Sequence, residues 1–242
     1  MSAIERLLEA LDSQIDAALI VSDANRFYFT GFPSSAGTLL ITREQSYFIV
    51  DFRYIEIAKK TIQNCEVILQ ENLTEQLNEL IARHQVRTLG IEAATLSLAA
   101  YQRFAGTLNT QVLADSRLSD AIEAIRAIKT KEEQDALRSA QIMTDRAFSF
   151  IINHIHPGVT EQDIILNMGA FMERLGSEGR SFDFIAISGP KTSLPHGKAG
   201  TRVIERGDFV TMDFGCKVNG YLSDMKKTPI CIWARRRGRI SR

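Results

Sequence analysis

The chain has 242 residues, 45% of them hydrophobic and 24% charged, with 29 Lys and Arg balanced by 29 Asp and Glu. The length exceeds the usual range of about 100–200 residues for one domain and points to two, and the composition is that of a globular protein with a buried core. No run of about 18 apolar residues offers a membrane span. The opening MSAIERLLEALDSQIDAAL has acidic residues and helically spaced apolar positions, where a signal peptide needs a basic start and a continuous apolar stretch. Cys65, Cys216 and Cys231 are widely spaced, without a CxxC, which fits a reducing compartment. A cytoplasmic location is the expectation.

The neutral total conceals an asymmetry. Lys226, Lys227, Arg235, Arg236, Arg237, Arg239 and Arg242 stand in the last segment without an acidic residue, leaving 22 basic against 29 acidic residues before it.

In chain order, Ile4, Leu7, Leu8 and Leu11 predict a helix, followed by the apolar strand AALIVS. GTLLIT and SYFIVD read as a hairpin around REQ. Three further helix and strand units follow: RYIEIAKKTI with CEVILQ, TEQLNELIARHQ with TLGIEA, and LAAYQRFAGTLN with QVLADS. The alternation predicts an α/β domain with a mixed sheet over 1–120. The pattern then changes. RLSDAIEAIRAIKTKEEQDALRSAQIMTDRAFSFIINHI is helical for most of its length, ending at HPGVT, where Thr160 and Asp163 form a capping box for the next helix, EQDIILNMGAFMERLG. Strands follow in FDFIAISG, RVIERGDFVTMDFG and NGYLSDM, an α+β arrangement over 121–225. Residues 226–242 differ in kind, as a basic tail.

Two aspartates near the end, Asp213 and Asp224, flank the turn in KVNGY. An Asn219-Gly220 type I′ turn would set Asp224 opposite Gly215 with Asp213 diagonal to it; a turn at Val218-Asn219 would set the aspartates directly opposite. Either places them on one face, because side chains alternate along a strand. Carboxylates held close repel, and a divalent cation removes that penalty; exposed turn aspartates are the alternative. His196, in the small polar loop LPHGKAG, is a further candidate. His154 and His156 read as helix-end cations, and His84 as a residue on a polar helix face. Cys216 is a bystander beside the aspartates. The arginines of the tail offer a nucleic-acid or lipid contact, against the alternative of a solvated terminus.

SFDFIAISGPKTSLPHGKAG followed by VIERGDFVTMDFGCKVNGYLSDM resembles the metal-dependent Xaa-Pro peptidases, the prolidases and aminopeptidases P of the pita-bread fold. DANRFYFTGFPSSAGTLLIT and FIVDFRY resemble the creatinase-type α/β domain that precedes their catalytic domain, and IRAIKTKEEQDALRSAQIMTDRA resembles the helix that opens it. The resemblance runs from about residue 4 to Met225. It implies that Asp213 and Asp224 are metal ligands, with Asp224 bridging two divalent ions, Mn or Co. It also implies that His196 contacts substrate, and that the reaction is hydrolysis of the peptide bond preceding proline by metal-activated water. A proline-containing peptide is the implied substrate and a homodimer the implied assembly, with no nucleic acid or membrane partner.

The resemblance fails at KKTPICIWARRRGRISR, which has no Asp, Glu or His where the family supplies a histidine and two glutamates. The expectation is a C-terminally truncated, incomplete pita-bread domain, inactive because three of five ligands are missing, with a tail of the kind a frameshift produces. A non-catalytic peptide-binding or dimerisation module is the alternative.

Overall fold

The computed structural model describes residues 1–231. The chain divides into two compact units, Met1–Lys129 and Thr130–Arg242.

The first unit opens with α1 (Ala3–Ala10), closed by a Ser2–Glu5 capping box, and β1 (Ala17–Ile20). Then come α2 (Asp23–Thr30), the hairpin β2 (Thr38–Thr42) and β3 (Ser46–Val50), and α3 (Ile55–Thr61). Three more pairs follow: β4 (Glu66–Leu69) with α4 (Leu73–Arg83), β5 (Thr88–Ile91) with α5 (Leu98–Thr107), and β6 (Gln111–Leu113) with α6 (Arg117–Ala127). The strands make one mixed sheet in the order β4-β3-β2-β1-β5-β6, in which only β2 runs against its neighbours.

Its central strands are buried on both faces, and consecutive residues feed two separate cores. Ala18, Ile20, Leu39, Ile41, Phe48 and Val50 pack with α1, α2 and α6; Ala17, Leu19, Leu40, Tyr47 and Ile49 pack with α4 and α5. Sequence periodicity does not predict α2. It is eight residues long with no side-chain cap, and it buries Asn25 and Arg26. Residue 120, where the change of pattern falls, lies inside α6.

The second unit begins with α7 (Lys131–Ile151), capped by Thr130 and Glu133, and α8 (Glu161–Arg174), capped by Thr160 and Asp163. The strands are β7 (Gly179–Arg180), β8 (Ile185–Ser188), β9 (Val210–Phe214), β10 (Cys216–Val218), β11 (Tyr221–Leu222) and β12 (Met225–Lys227). They form two antiparallel sheets, β11-β10-β7 and β12-β9-β8, with a short 3-10 turn at Gly189–Ser193. Ala140, Ala147 and Ile151 of α7 meet Ile164, Met168 and Met172 of α8 over Ala186, Val210, Met212 and Phe214. This is the expected α+β order.

Residues 226–231 continue this fold. Lys226 and Lys227 belong to β12, the Val210 N–H donates to the Pro229 carbonyl at 2.9 Å, and Cys231 is buried. The rest of the segment expected to be a basic tail, with Trp233 and its arginines, lies outside the described residues.

Candidate metal centre

Asp213 sits on β9, where alternation decides which way it points. Val210, Met212 and Phe214 are fully buried, whereas Thr211 and Asp213 look out on the opposite face. The next residues turn into β10 and the hairpin. Asn219 and Gly220 both have positive φ, 49° and 78°, the type I′ geometry that an Asn-Gly pair favours. Val218 lies opposite Tyr221 and Lys217 opposite Leu222. The same register continues into β12, where Met225 lies opposite Phe214 and Lys226 opposite Asp213. Asp224, two residues before Lys226, is therefore on the face of Asp213 and diagonal to it.

Two features hold the corner between the aspartates. Gly215 has no room for a side chain, because a Cβ there would collide with the Ser223 carbonyl and the Ser181 hydroxyl. Ser223, immediately before Asp224, is buried. Its Oγ accepts from the Cys216 N–H at 3.0 Å and shares a 2.6 Å hydrogen bond with Thr144 of α7. The Ser223 N–H donates to the Cys216 carbonyl, also at 3.0 Å. Cys216 is thus a packing residue whose Sγ lies 3.4 Å from the Ala140 carbonyl.

Burial pushes the Asp213 carboxyl above the ordinary aspartate range, and the negative charge of Asp224 adds to the rise. Lys226 and His196 act in the opposite direction. The Lys226 ammonium stands 3.8 Å from Asp213 Oδ2; composition assigns that lysine to the tail, and only strand pairing reveals it as a neighbour of the aspartate. His196 is exposed on the loop that follows β8. Two hard oxygen donors facing each other suit a divalent cation in kind. They do not suffice in number, because among the described residues no group of three or more His, Cys, Asp and Glu is placed to hold a metal.

The other histidines serve the scaffold. His154 Nδ1 donates to the Phe150 carbonyl at 2.9 Å at the end of α7, and His156 Nδ1 to the Pro157 carbonyl at 3.1 Å. His84 corrects the reading from the helix pattern. Its ring is 8% exposed, and it shares a 2.7 Å hydrogen bond with the buried Tyr47 hydroxyl and a 3.1 Å contact with Glu44. Position on a helix face cannot show that a strand tyrosine covers the ring.

A six-stranded α/β unit ahead of an α+β unit with a carboxylate pair on a hairpin defines a class. Residues 3–128 match the Creatinase/Prolidase N-terminal domain and residues 135–235 match Metallopeptidase family M24. The chain belongs to this family, the Xaa-Pro peptidase group, which is dimetal-dependent in general. It is similar to an uncharacterized peptidase of Bacillus subtilis, with 34% identity over 88% of this chain and 60% of that protein. Among solved structures it is similar to an Xaa-Pro dipeptidase from Bacillus anthracis, with 36% identity, a TM-score of 0.86 and coverage of 93% of this chain and 63% of that one. The prolidase from Pyrococcus furiosus gives 31% identity and a TM-score of 0.84, with 93% of this chain and 70% of that one covered. The chain thus spans about three fifths of the length of the curated relatives it matches.

Proposed function

We propose that the second unit supplies part of the metal site of an Xaa-Pro peptidase, acting on the bond before proline in a proline-containing peptide. Asp213 and Asp224 are the metal-ligating carboxylates and His196 is the substrate-contacting group. The observation that carries this reading is the carboxylate pair itself. The hairpin register sets the two acids on one face, burial and mutual repulsion raise Asp213, and Lys226, at 3.8 Å, and His196 offset the charge in part.

Divalent ions, manganese or cobalt, would supply water activation and polarisation of the peptide carbonyl there. The protein's own share is orientation. Ser223 and Gly215 fix the corner, and the exposed His196 is free to donate to charge developing on the carbonyl oxygen.

Two carboxylates make a weak site, and these 242 residues alone do not hydrolyse peptides. Incubating the full chain with Mn²⁺ and the dipeptide Ala-Pro tests this, with free proline as the readout. The expectation is no release above the metal blank, and Mn²⁺ binding no tighter than about 10⁻⁴–10⁻³ M. Turnover in the ordinary enzyme range of about 1–10³ s⁻¹ would overturn the inactivity. Mn²⁺ binding unchanged by Asp213→Asn would remove the metal assignment.

A second reading, a peptide-binding or homodimerising module without catalysis, is favoured by the first unit, whose sheet is covered on both faces within residues 1–129. Sedimentation of the full chain with and without a proline peptide distinguishes it.

A further inference from the structure

The loop carrying His196 leaves β8 at Ser188 and returns through Gly200, and both of its limbs are fastened to one side chain. Glu161, the first residue of α8, is fully buried. Its carboxylate accepts from the Ser188 N–H at 2.8 Å, the Ser188 hydroxyl at 3.0 Å and the Gly200 N–H at 3.0 Å. It also accepts from Lys191 Nζ at 2.5 Å. Lys191 donates in addition to the Lys198 carbonyl at 3.0 Å, crossing from the outgoing to the returning limb.

An outer brace repeats the pattern. Arg202 donates to the Ser188 hydroxyl at 2.5 Å and to Asp208 at 2.7 Å, and Asp208 accepts from the Glu205 N–H at 2.8 Å. Gly189, at φ +55°, makes room for this brace, since a Cβ there would lie 2.6 Å from Arg202 Nη2 and 2.8 Å from Asp208 Oδ1. Gly197, directly after His196, lies on Ile187 of β8, where a Cβ would come within 3.0 Å.

Glu161 is not needed to start α8, because Thr160 and Asp163 already cap it reciprocally at 3.1 and 2.8 Å. A fully buried carboxylate is costly unless it is paired and hydrogen-bonded, and here every partner belongs to the His196 loop or its base. That base is close to the aspartates: on β8, Ile187 lies opposite Thr211 and Ile185 opposite Asp213.

We infer that Glu161 is a positioning residue, which holds residues 188–200 so that His196 is presented to the Asp213 and Asp224 pair. The inference rests on the reading of His196 as the substrate-contacting group.

Nuclear magnetic resonance of the full chain with ¹⁵N-labelled histidine and backbone tests it without requiring turnover. In the wild type, Asp213→Asn should move the ring resonances of His196 and leave those of His84 and His154 in place. In a Glu161→Gln background the same Asp213→Asn change should move them severalfold less. The amides of Ser188 and Gly200 should then exchange faster by roughly tenfold or more. Lys191→Met, which removes one limb only, should give an intermediate loss and covers the case in which Glu161→Gln does not fold.

An equal response of His196 to Asp213→Asn in all backgrounds would overturn the positioning role, as would no response in the wild type. The metal reading is tested separately on the same samples. Mn²⁺ should broaden the amides of Phe214 and Met225 in wild type and in Glu161→Gln alike, and its failure to do so would sink the metal site while leaving the positioning result to stand on the His196 shifts.

Discussion

Glu92 of the first unit and Asp213 of the second are both withdrawn from solvent, and their surroundings are opposite. Glu92 is 2% exposed and its oxygens are fully used. They accept from the Val21 and Ser22 N–H groups at 2.6 and 2.9 Å, and from the Ser22 hydroxyl and Asn25 amide at 2.6 Å each. Asp213 is less buried, with a side chain 22% exposed, yet it meets a second carboxylate and an ammonium only at 3.8 Å. A buried carboxylate whose lone pairs are spent inside the fold is structural. One aimed at another carboxylate leaves the fold carrying a repulsion that a cation relieves.

The largest expected effect breaks the corner between Asp213 and Asp224 outright. Gly215→Ala forces a Cβ onto the Ser223 carbonyl, and the backbone must move. The loss should reach about 4 kcal/mol or more, seen in urea denaturation as selective melting of the second unit with the first unit's transition unchanged.

Glu92→Ala comes next. It strands the Val21 and Ser22 N–H groups together with Asn25, and should cost about 3 kcal/mol, confined to the first unit. Asp213→Asn should go the other way. It removes the charge repulsion and should leave stability unchanged or raise it by up to about 1 kcal/mol, while abolishing any protection by Mn²⁺ in the same melt. A loss of several kcal/mol would mean that Asp213, like Glu92, is a structural acid.

The smallest effect is read by acid. Burial opposes ionisation of Glu161, but Lys191 and the Ser188 and Gly200 donors outweigh it and hold the carboxyl below its ordinary range. The hydrogen bond from Arg202 does the same for Asp208. Because these folded values lie below the unfolded ones, their stabilisation is fully present above the unfolded range of about pH 4–4.5. It is lost as pH falls through the folded values. Protection from hydrogen exchange across residues 188–208, taken relative to the intrinsic rate at each pH, should therefore fall as the solution is acidified below about pH 4, before the first unit's core amides respond.

Much of this was legible in the chain. Short apolar runs and helical spacing outline every strand and most helices of the first unit, because burial on both faces of a strand or on one face of a helix leaves a local trace. Thr160 with Asp163 announces the start of α8. The shared face of Asp213 and Asp224 was legible too, because alternation gives it for a turn at Asn219-Gly220 or at Val218-Asn219; positive φ at both Asn219 and Gly220 in the structure then sets the register. Helix α2 left no such trace. Its eight residues lack a side-chain cap, and the residue chain before it is held by Glu92, some seventy positions away.

By itself, then, the sequence determined that the aspartates share one face of the hairpin, since either turn gives that result and alternation depends only on neighbours a few positions apart. Only the tertiary structure decided that Ser223 rests on Thr144, that Lys226 faces Asp213, and that Glu161 ties both limbs of the His196 loop. Each of these joins groups distant along the chain or on separate elements. A hydrogen bond of that kind depends on where folding brings two backbones together, and no local pattern of residue types encodes it.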